Sequence, residues 1–164
     1  MVQLVDSDIK TREVLGWKGL RVLHFAGSSC SQKLRIFLNL KGIPWESHPI
    51  DLPANENFQP WFLGINPRGL VPVLVHDGAV HIESNDIVQY LEKTFPSPTL
   101  VPAGYENEVA ALLRHEDDLH LDLRTLSFET RDPRSDSQVV IEPLVDRFDL
   151  AFDEVGMPQI GRAH

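Results

Sequence analysis

Apolar residues in the first hundred positions follow two spacings, one typical of strands and one typical of helices. Residues 21–25 read RVLHF, an alternating and β-branched run that predicts a first strand. The apolar residues that follow recur at helical spacing: Cys30, Leu34, Phe37 and Leu38. Gly42 and Pro44 then end the predicted helix. A second extended piece at residues 46–51 completes a βαβ unit.

A hairpin and a further helix follow after an irregular or weakly helical stretch. Residues 73–75 and 79–82 alternate around an Asp77-Gly78 pair, which is a strong short-range hairpin signal. Helical spacing then returns, with Pro96 as its end, at Ile87, Val88, Leu91 and Phe95. We expect the polar run Ser84, Asn85 and Asp86 to cap this helix. The order predicted for residues 21–98 is therefore βαβ followed by ββα.

The remaining sequence predicts helices only. One long helix is indicated after Gly104 by Val109, Leu112, Leu113, Leu119, Leu123 and Leu126. A polar break at residues 129–137 separates it from a second helix over residues 141–155. Our division is an N-terminal extension (1–20), an α/β domain (21–98) and a partial all-α domain (104–164).

The charge balance narrows the classes of partner. The chain has 15 basic and 24 acidic residues, and the excess of acidic residues lies after Gly104. Such acidity repels phosphate backbones, so we expect no nucleic-acid partner. We also expect no membrane partner and a cytoplasmic location, because no apolar run approaches a membrane span and the N-terminus lacks signal-peptide character. Cys30 is the only cysteine, which excludes an intramolecular disulfide.

Four segments in register carry a resemblance to a known family. They read SSCSQKLRIFLNLKGI (28–43), INPRGLVPVLVHDG (65–78), HIES (81–84) and DIVQYLEKTFP (86–96). Together they resemble the thioredoxin-like N-terminal domain of cytosolic glutathione S-transferases. The SSCS start is similar to the zeta class, and the second segment is also similar to bacterial lignin β-etherases.

The resemblance implies a site for glutathione as co-substrate, with no metal. Ser28 falls on the position that contacts the glutathione sulfur and is the implied catalytic residue, and Ser29 beside it is an implied binding residue. A free thiol has a pKa of about 8.5. A hydrogen bond from the hydroxyl to the thiolate lowers this pKa by about one to two units, and the positive end of the following helix favours the anion further. The thiolate, not the serine, is then the nucleophile.

Other positions are implied to hold the peptide. Val71 and Pro72 match the family's cis-proline position, where the backbone binds the cysteinyl part. Glu83 and Ser84 match the pair that receives the γ-glutamyl ammonium and carboxylate. The basic residue that some classes direct at the glycyl carboxylate is missing, and Asn57 is the nearest polar candidate.

Several simpler interpretations remain beside these. The serines of the SSCS segment are also an ordinary helix N-cap, Glu83-Ser84 an ordinary helix start, and Val71-Pro72 an ordinary strand edge. Cys30 lies two residues past the nucleophile position, which disfavours a cysteine mechanism. His115 and His120 are five apart and do not share a helix face, so a metal site is disfavoured.

The implied activity is conjugation of glutathione to an electrophilic small molecule, as in detoxification, by a homodimer. Glutathione-dependent isomerisation, as in the zeta class, is a close variant. The alternative from another class is a non-catalytic glutathione-binding or interaction module. We expect the helical domain to be incomplete, because the resembling proteins continue into a larger bundle that supplies the electrophile pocket.

Overall fold

The computed structural model describes residues 2–129, of which residues 2–119 belong to one compact unit and residues 120–129 to a second. The predicted break after residue 129 and the helix at 141–155 lie outside the described residues. The strands are β1 (Val2–Gln3), β2 (Leu20–His24), β3 (Glu46–Pro49), β4 (Val73–His76) and β5 (Ala79–Ile82). The α-helices are α1 (Ser29–Leu40), α2 (Pro60–Leu63), α3 (Ser84–Thr94) and α4 (Glu106–Glu129).

The strands form one mixed sheet in the order β1-β5-β4-β2-β3. Strand β3 pairs parallel to β2, whereas β4 pairs antiparallel to β2, and β5 antiparallel to β4. This is the predicted βαβ-ββα arrangement of a thioredoxin-like α/β fold, followed by the predicted helix after Gly104. The strand boundaries agree with the sequence prediction to within two residues.

Each face of the sheet carries its own apolar cluster, because side chains alternate along the strands. The first face packs against the N-terminal segment and the α2 region, through Ile9, Val14, Leu23, Ile50, Phe62, Ile65, Val73, Val75, Val80 and Ile82. The second face packs against α1 and α3, through Leu20, Val22, Leu34, Leu38, Ile43, Leu74, Ile87 and Leu91. Ile9 and Val14 belong to the first cluster, so the N-terminal extension contributes to the core.

The β4–β5 hairpin turns at the predicted pair. Asp77 and Gly78 have φ values of 49° and 88°, as a two-residue hairpin turn requires. A Cβ at Gly78 would lie 2.3 Å from the Leu15 carbonyl oxygen, so no other residue fits there. This close approach joins the hairpin to the short 3₁₀ helix Arg12–Gly16.

The predicted cap of α3 is wrong. Ser84 is the first helical residue, and the N-cap is Glu83, which has φ 66° and ψ 109° and no side-chain capping bond. Asn85 lies inside the helix and its side chain bonds elsewhere, to α1 and α4. The polar run therefore opens the helix without capping it.

The long helix α4 is amphipathic in sequence, with Glu106 and Glu108 in its first turn. Among the described residues, this helix and all others fall short of the length and apolarity needed to cross a membrane.

Candidate functional site

The sheet register brings the predicted site residues to one edge of the domain. Strands β2 and β4 are antiparallel, with Leu23 opposite Val73, so the end of β2 lies beside the start of β4. Strand β5 runs antiparallel to β4, with Leu74 opposite His81, so the end of β5 lies at the same edge. The loop to Ser28, the Val71–Pro72 step and the Glu83-Ser84 pair all follow or precede these strand ends.

Ser28 is the N-cap residue of α1. Its backbone is extended, at φ −83° and ψ 120°, and its Oγ accepts a hydrogen bond from the Ser31 N–H at 3.3 Å. This is the capping role that sequence reasoning held as the simpler interpretation. A hydroxyl has one donor and two acceptor positions, so capping leaves the O–H able to donate to a bound group.

The first turn of α1 presents further groups at this edge. Ser29 is exposed and Ser31 is buried, where its Oγ accepts from the Phe25 N–H at 3.4 Å. Cys30 is half-buried and, as the single cysteine of the chain, forms no intramolecular disulfide. The N–H groups of a first helical turn lack intrahelical partners, so this turn favours an anion.

The loop before β4 is fixed by two buried asparagines. Asn66 donates from Nδ2 to the Leu70 carbonyl at 2.9 Å, and Asn57 donates from Nδ2 to the Gly69 carbonyl at 2.7 Å. Gly69 has φ 63°, a conformation that glycine adopts without steric cost. Asn57 is only 7% exposed, so it holds this loop, and its contact with a glycyl carboxylate stays a prediction.

The Val71–Pro72 peptide bond, whose isomer sequence alone does not fix, is cis. Val71 is half-buried and Pro72 is buried. Among the backbone hydrogen bonds of the described loops and turns, the N–H and C=O of Val71 take no part. Both groups thus remain able to pair with an extended peptide ligand.

Glu83 and Ser84 join β5 to α3. The positive φ of Glu83 is uncommon for a non-glycine residue and turns the chain sharply into the helix. The Ser84 residue is 9% exposed and stands at the first position of α3. The partial positive charge at the start of α3 favours the binding of a ligand carboxylate, and the negative charge of Glu83 favours the binding of a ligand cation.

Sequence reasoning missed Arg68 at this edge. Its Nη1 donates to Glu83 Oε1, and the two side chains are 54% and 41% exposed. Arg68 lies 15 residues before Glu83, so sequence spacing contains no signal for this pair. The pair becomes visible only when the β4–β5 hairpin places the two loops side by side.

A separate cleft of about 320 Å³ lies away from these residues, between α1 and β3. Its lining includes His24, Arg35 and Trp45, and none of the predicted site residues. Burial, with a further contribution from the Arg35 charge, lowers the pKa of His24. Its Nε2 is paired with Ser47 Oγ at 2.8 Å.

The structure is a thioredoxin-like domain in which the start of α1, a loop fixed by two asparagines and the Glu83 carboxylate lie at one edge of the sheet. Residues 27–94 match the family model described as "Glutathione S-transferase, N-terminal domain". Residues 27–94 thus form a domain of that family, as the four sequence motifs predicted.

Similar proteins support the same assignment. A zeta-class glutathione S-transferase from Euphorbia esula is 44% identical over 84 residues, which are 51% of this chain and 37% of that protein. A solved holo structure of maleylpyruvate isomerase, a bacterial zeta-class glutathione S-transferase, has a TM-score of 0.53 and 38% identity, over 56% of this chain and 44% of that one. The β-etherase of Sphingobium sp. strain SYK-6 has a TM-score of 0.50 and 40% identity, over 52% and 36%. The chain thus spans less than half the length of these proteins.

Proposed function

We propose that this chain carries the glutathione site of a transferase that joins the glutathione thiolate to an electrophilic small molecule. The observation that supports this most strongly is the convergence of Ser28, Val71 and Glu83-Ser84 at one sheet edge. Ser28 donates its O–H to the ligand sulfur while its oxygen still caps α1. The backbone N–H groups of the first turn of α1, including that of Ser29, add to the stabilisation of the thiolate.

The peptide is held by the adjoining loops in this proposal. The free backbone groups of Val71 pair with the cysteinyl part, Glu83 meets the α-ammonium, and the start of α3 at Ser84 meets the α-carboxylate. In this proposal the transferase is cytoplasmic and works as a homodimer.

Calorimetric titration with glutathione tests the binding part. We expect binding by the full chain, weakened by Glu83→Gln through loss of the charge pair with the ammonium, by about three- to tenfold or more. Glu46→Gln is the matched control, since Glu46 lies opposite Arg21 at the start of β3, whereas the site edge lies beyond the other end of β2. Equal affinity in Glu83→Gln and the control would contradict the proposed ammonium contact.

The role of Ser28 is tested by titrating the thiol of bound glutathione through thiolate ultraviolet absorbance. We expect a pKa about one to two units below the free value of about 8.5 in the wild-type chain. Ser28→Ala should return the pKa most of the way, and Ser28→Thr, which keeps the hydroxyl and the cap, should preserve the shift. An unshifted wild-type pKa would contradict the assignment.

The particular reaction is separated by substrate. Conjugation to a chloroarene or cleavage of an aryl ether tests transfer, and isomerisation of a cis-dicarboxylate olefin such as a maleyl compound tests the isomerase. The isomerase is the second candidate because the similar zeta-class structure is that of a maleylpyruvate isomerase. Binding of glutathione without turnover of either kind would identify a non-catalytic glutathione-binding module.

A further inference from the structure

The loop that carries Arg68 is held in place at several points. The Arg68 N–H donates to Asn66 Oδ1 at 3.1 Å, and Asn66 is 1% exposed. The next carbonyl groups along the loop, those of Gly69 and Leu70, accept from Asn57 and Asn66. The backbone of Arg68 is therefore fixed, and its long side chain is 54% exposed.

The other end of the ion pair is also constrained at its backbone. Glu83 caps α3 at a positive φ, and its carbonyl accepts from the Ile87 N–H at 2.9 Å. The carboxylate is 41% exposed and the guanidinium 54%, so a ligand reaches both groups. An exposed pair of this kind is weak and exchanges partners readily.

We propose that Arg68 is a specificity-determining residue, because it is the counter-ion that the protein itself supplies to Glu83. When a γ-glutamyl peptide binds, its α-ammonium either displaces Arg68 from the Glu83 carboxylate or shares that carboxylate with it. This inference rests on the proposed function, because it uses Glu83 as the ammonium acceptor. A carboxylate has two oxygens and about four acceptor positions, so it accommodates either arrangement.

The consequence concerns ligands that lack the ammonium. In the wild-type chain, a γ-glutamyl peptide without its amino group leaves Glu83 paired with Arg68, and the absence of the ammonium carries a small penalty. Without Arg68, the same ligand leaves Glu83 unpaired beside the α-carboxylate of the ligand, and the two negative charges repel each other. Arg68 therefore reduces the site's discrimination for the free α-amino group.

The test compares glutathione with its des-amino analogue, glutaryl-Cys-Gly, by calorimetry on the full chain. The measured quantity is the ratio of the two dissociation constants, analogue over glutathione. Any contact of Arg68 with the α-carboxylate cancels in this ratio, since both ligands have that group. We expect Arg68→Ala to raise the ratio by about two- to fivefold over wild type, and Arg68→Lys, which keeps the charge, to raise it less.

Two further variants make the result specific. Arg12→Ala removes an arginine whose Nη1 donates to the Asp6 carbonyl, outside the site edge, and should leave the ratio unchanged. In a Glu83→Gln background, Arg68→Ala should no longer raise the ratio, because the carboxylate that couples the two cations is gone.

The outcomes separate this inference from the function beneath it. Glutathione binding with a ratio unchanged or lowered in Arg68→Ala would overturn the role of Arg68 and leave the glutathione site standing. A wild-type chain that binds neither peptide would overturn both.

Discussion

The two faces of the sheet are packed with different chemistry, although the same strands supply both. The first face meets the N-terminal segment and the α2 region with an apolar cluster centred on Phe62. The second face meets α1 and α3 with an apolar cluster as well, but it also buries His81 and Lys41. The loops at the site edge connect to elements that pack on both faces of the sheet. The packing of each face therefore positions part of the site.

The difference shows how the helices of the second face are tied together. Lys41, just after α1, has a fully buried side chain, and its Nζ donates to Glu92 of α3 at 2.6 Å and to the Pro98 carbonyl at 2.7 Å. His81 of β5 stacks on Tyr90 of α3, with ring centroids 4.0 Å apart. Polar groups buried in this way have narrow geometric requirements, whereas an apolar cluster requires only volume and shape.

The largest effect is expected on the apolar face. Phe62 has no exposed surface, so Phe62→Ala removes buried apolar contact and leaves a cavity, at a cost of about 3–5 kcal/mol of unfolding free energy. Urea unfolding with an unchanged slope measures this loss. Leu40→Ala is the control, because Leu40 is 60% exposed and its truncation should cost less than about 0.5 kcal/mol.

The second-largest loss of unfolding free energy is expected at the buried ion pair of the second face. Lys41→Met leaves the Glu92 carboxylate with only Thr99 and the Leu100 amide, and we expect a loss of about 3 kcal/mol. Combining Lys41→Met with Glu92→Gln should lose less than the sum of the single changes, in the same urea measurement. Strict additivity would show that the two side chains do not stabilise each other.

The same pair contributes to the acid sensitivity of this face. Burial opposes ionisation of Glu92, but hydrogen bonds from Lys41, Thr99 and the Leu100 N–H, with the Lys41 charge, outweigh it and lower its pKa. A lowered carboxyl pKa stabilises the fold above the unfolded value, and that stability is lost as the pH falls through the folded value.

His81 gives the second face a pH dependence nearer neutrality. Burial, with a smaller contribution from the neighbouring His76, lowers the pKa of His81 from 6.5 to about 4. The folded protein favours the neutral ring. The contribution of His81 to the free energy of unfolding is therefore complete above pH 6.5 and is lost as the pH falls from there towards 4. Between pH 7.5 and pH 5 the loss should be about 2 kcal/mol.

The measurement for His81 is the free energy of unfolding at both pH values, in wild type and in His81→Phe. Phenylalanine keeps a flat ring against Tyr90 and does not titrate, so the variant should lose about 2 kcal/mol less on acidification. Both His81 ring nitrogens are buried without a hydrogen-bond partner among the described residues, which makes an apolar ring acceptable there. Parallel pH profiles for the two proteins would assign the acid sensitivity to other groups.

Sequence patterns predicted strands β2–β5 because their signals are local, whereas the two-residue strand β1 was missed within the segment interpreted as an N-terminal extension. The alternation at residues 21–25 and the Asp77-Gly78 turn each specify a strand or a hairpin within a few residues. The same holds for Ser28, whose capping chemistry is visible next to its helix. The family resemblance then supplied roles for Val71, Glu83 and Ser84 that no local pattern contains.

The long-range polar pairs escaped prediction for a physical reason. Lys41 meets Glu92 across 51 positions and Arg68 meets Glu83 across 15, and both pairs depend on how α1, α3 and the hairpin pack. A long flexible side chain reaches many places, so its partner follows from tertiary structure. The Glu83 cap was missed because a glutamate at positive φ contradicts local preference, as happens where a site constrains the backbone.

The smallest effect belongs to an ion pair at the rim of the first face, which is the counterpart of Lys41 and Glu92. Arg21 Nε lies 3.1 Å from Glu46 Oε2 across the β2–β3 pair, with side chains 27% and 57% exposed. Solvent screens such a pair, so Glu46→Gln should cost less than about 0.5 kcal/mol in the same urea assay, and less still at high salt. Arg21 also keeps its contact over the Trp17 ring, 4.7 Å from the centroid. If Glu46→Gln instead costs as much as Lys41→Met, burial is not what distinguishes the two ion pairs. The difference in how the two faces are stabilised would then lie in the helices packed against them.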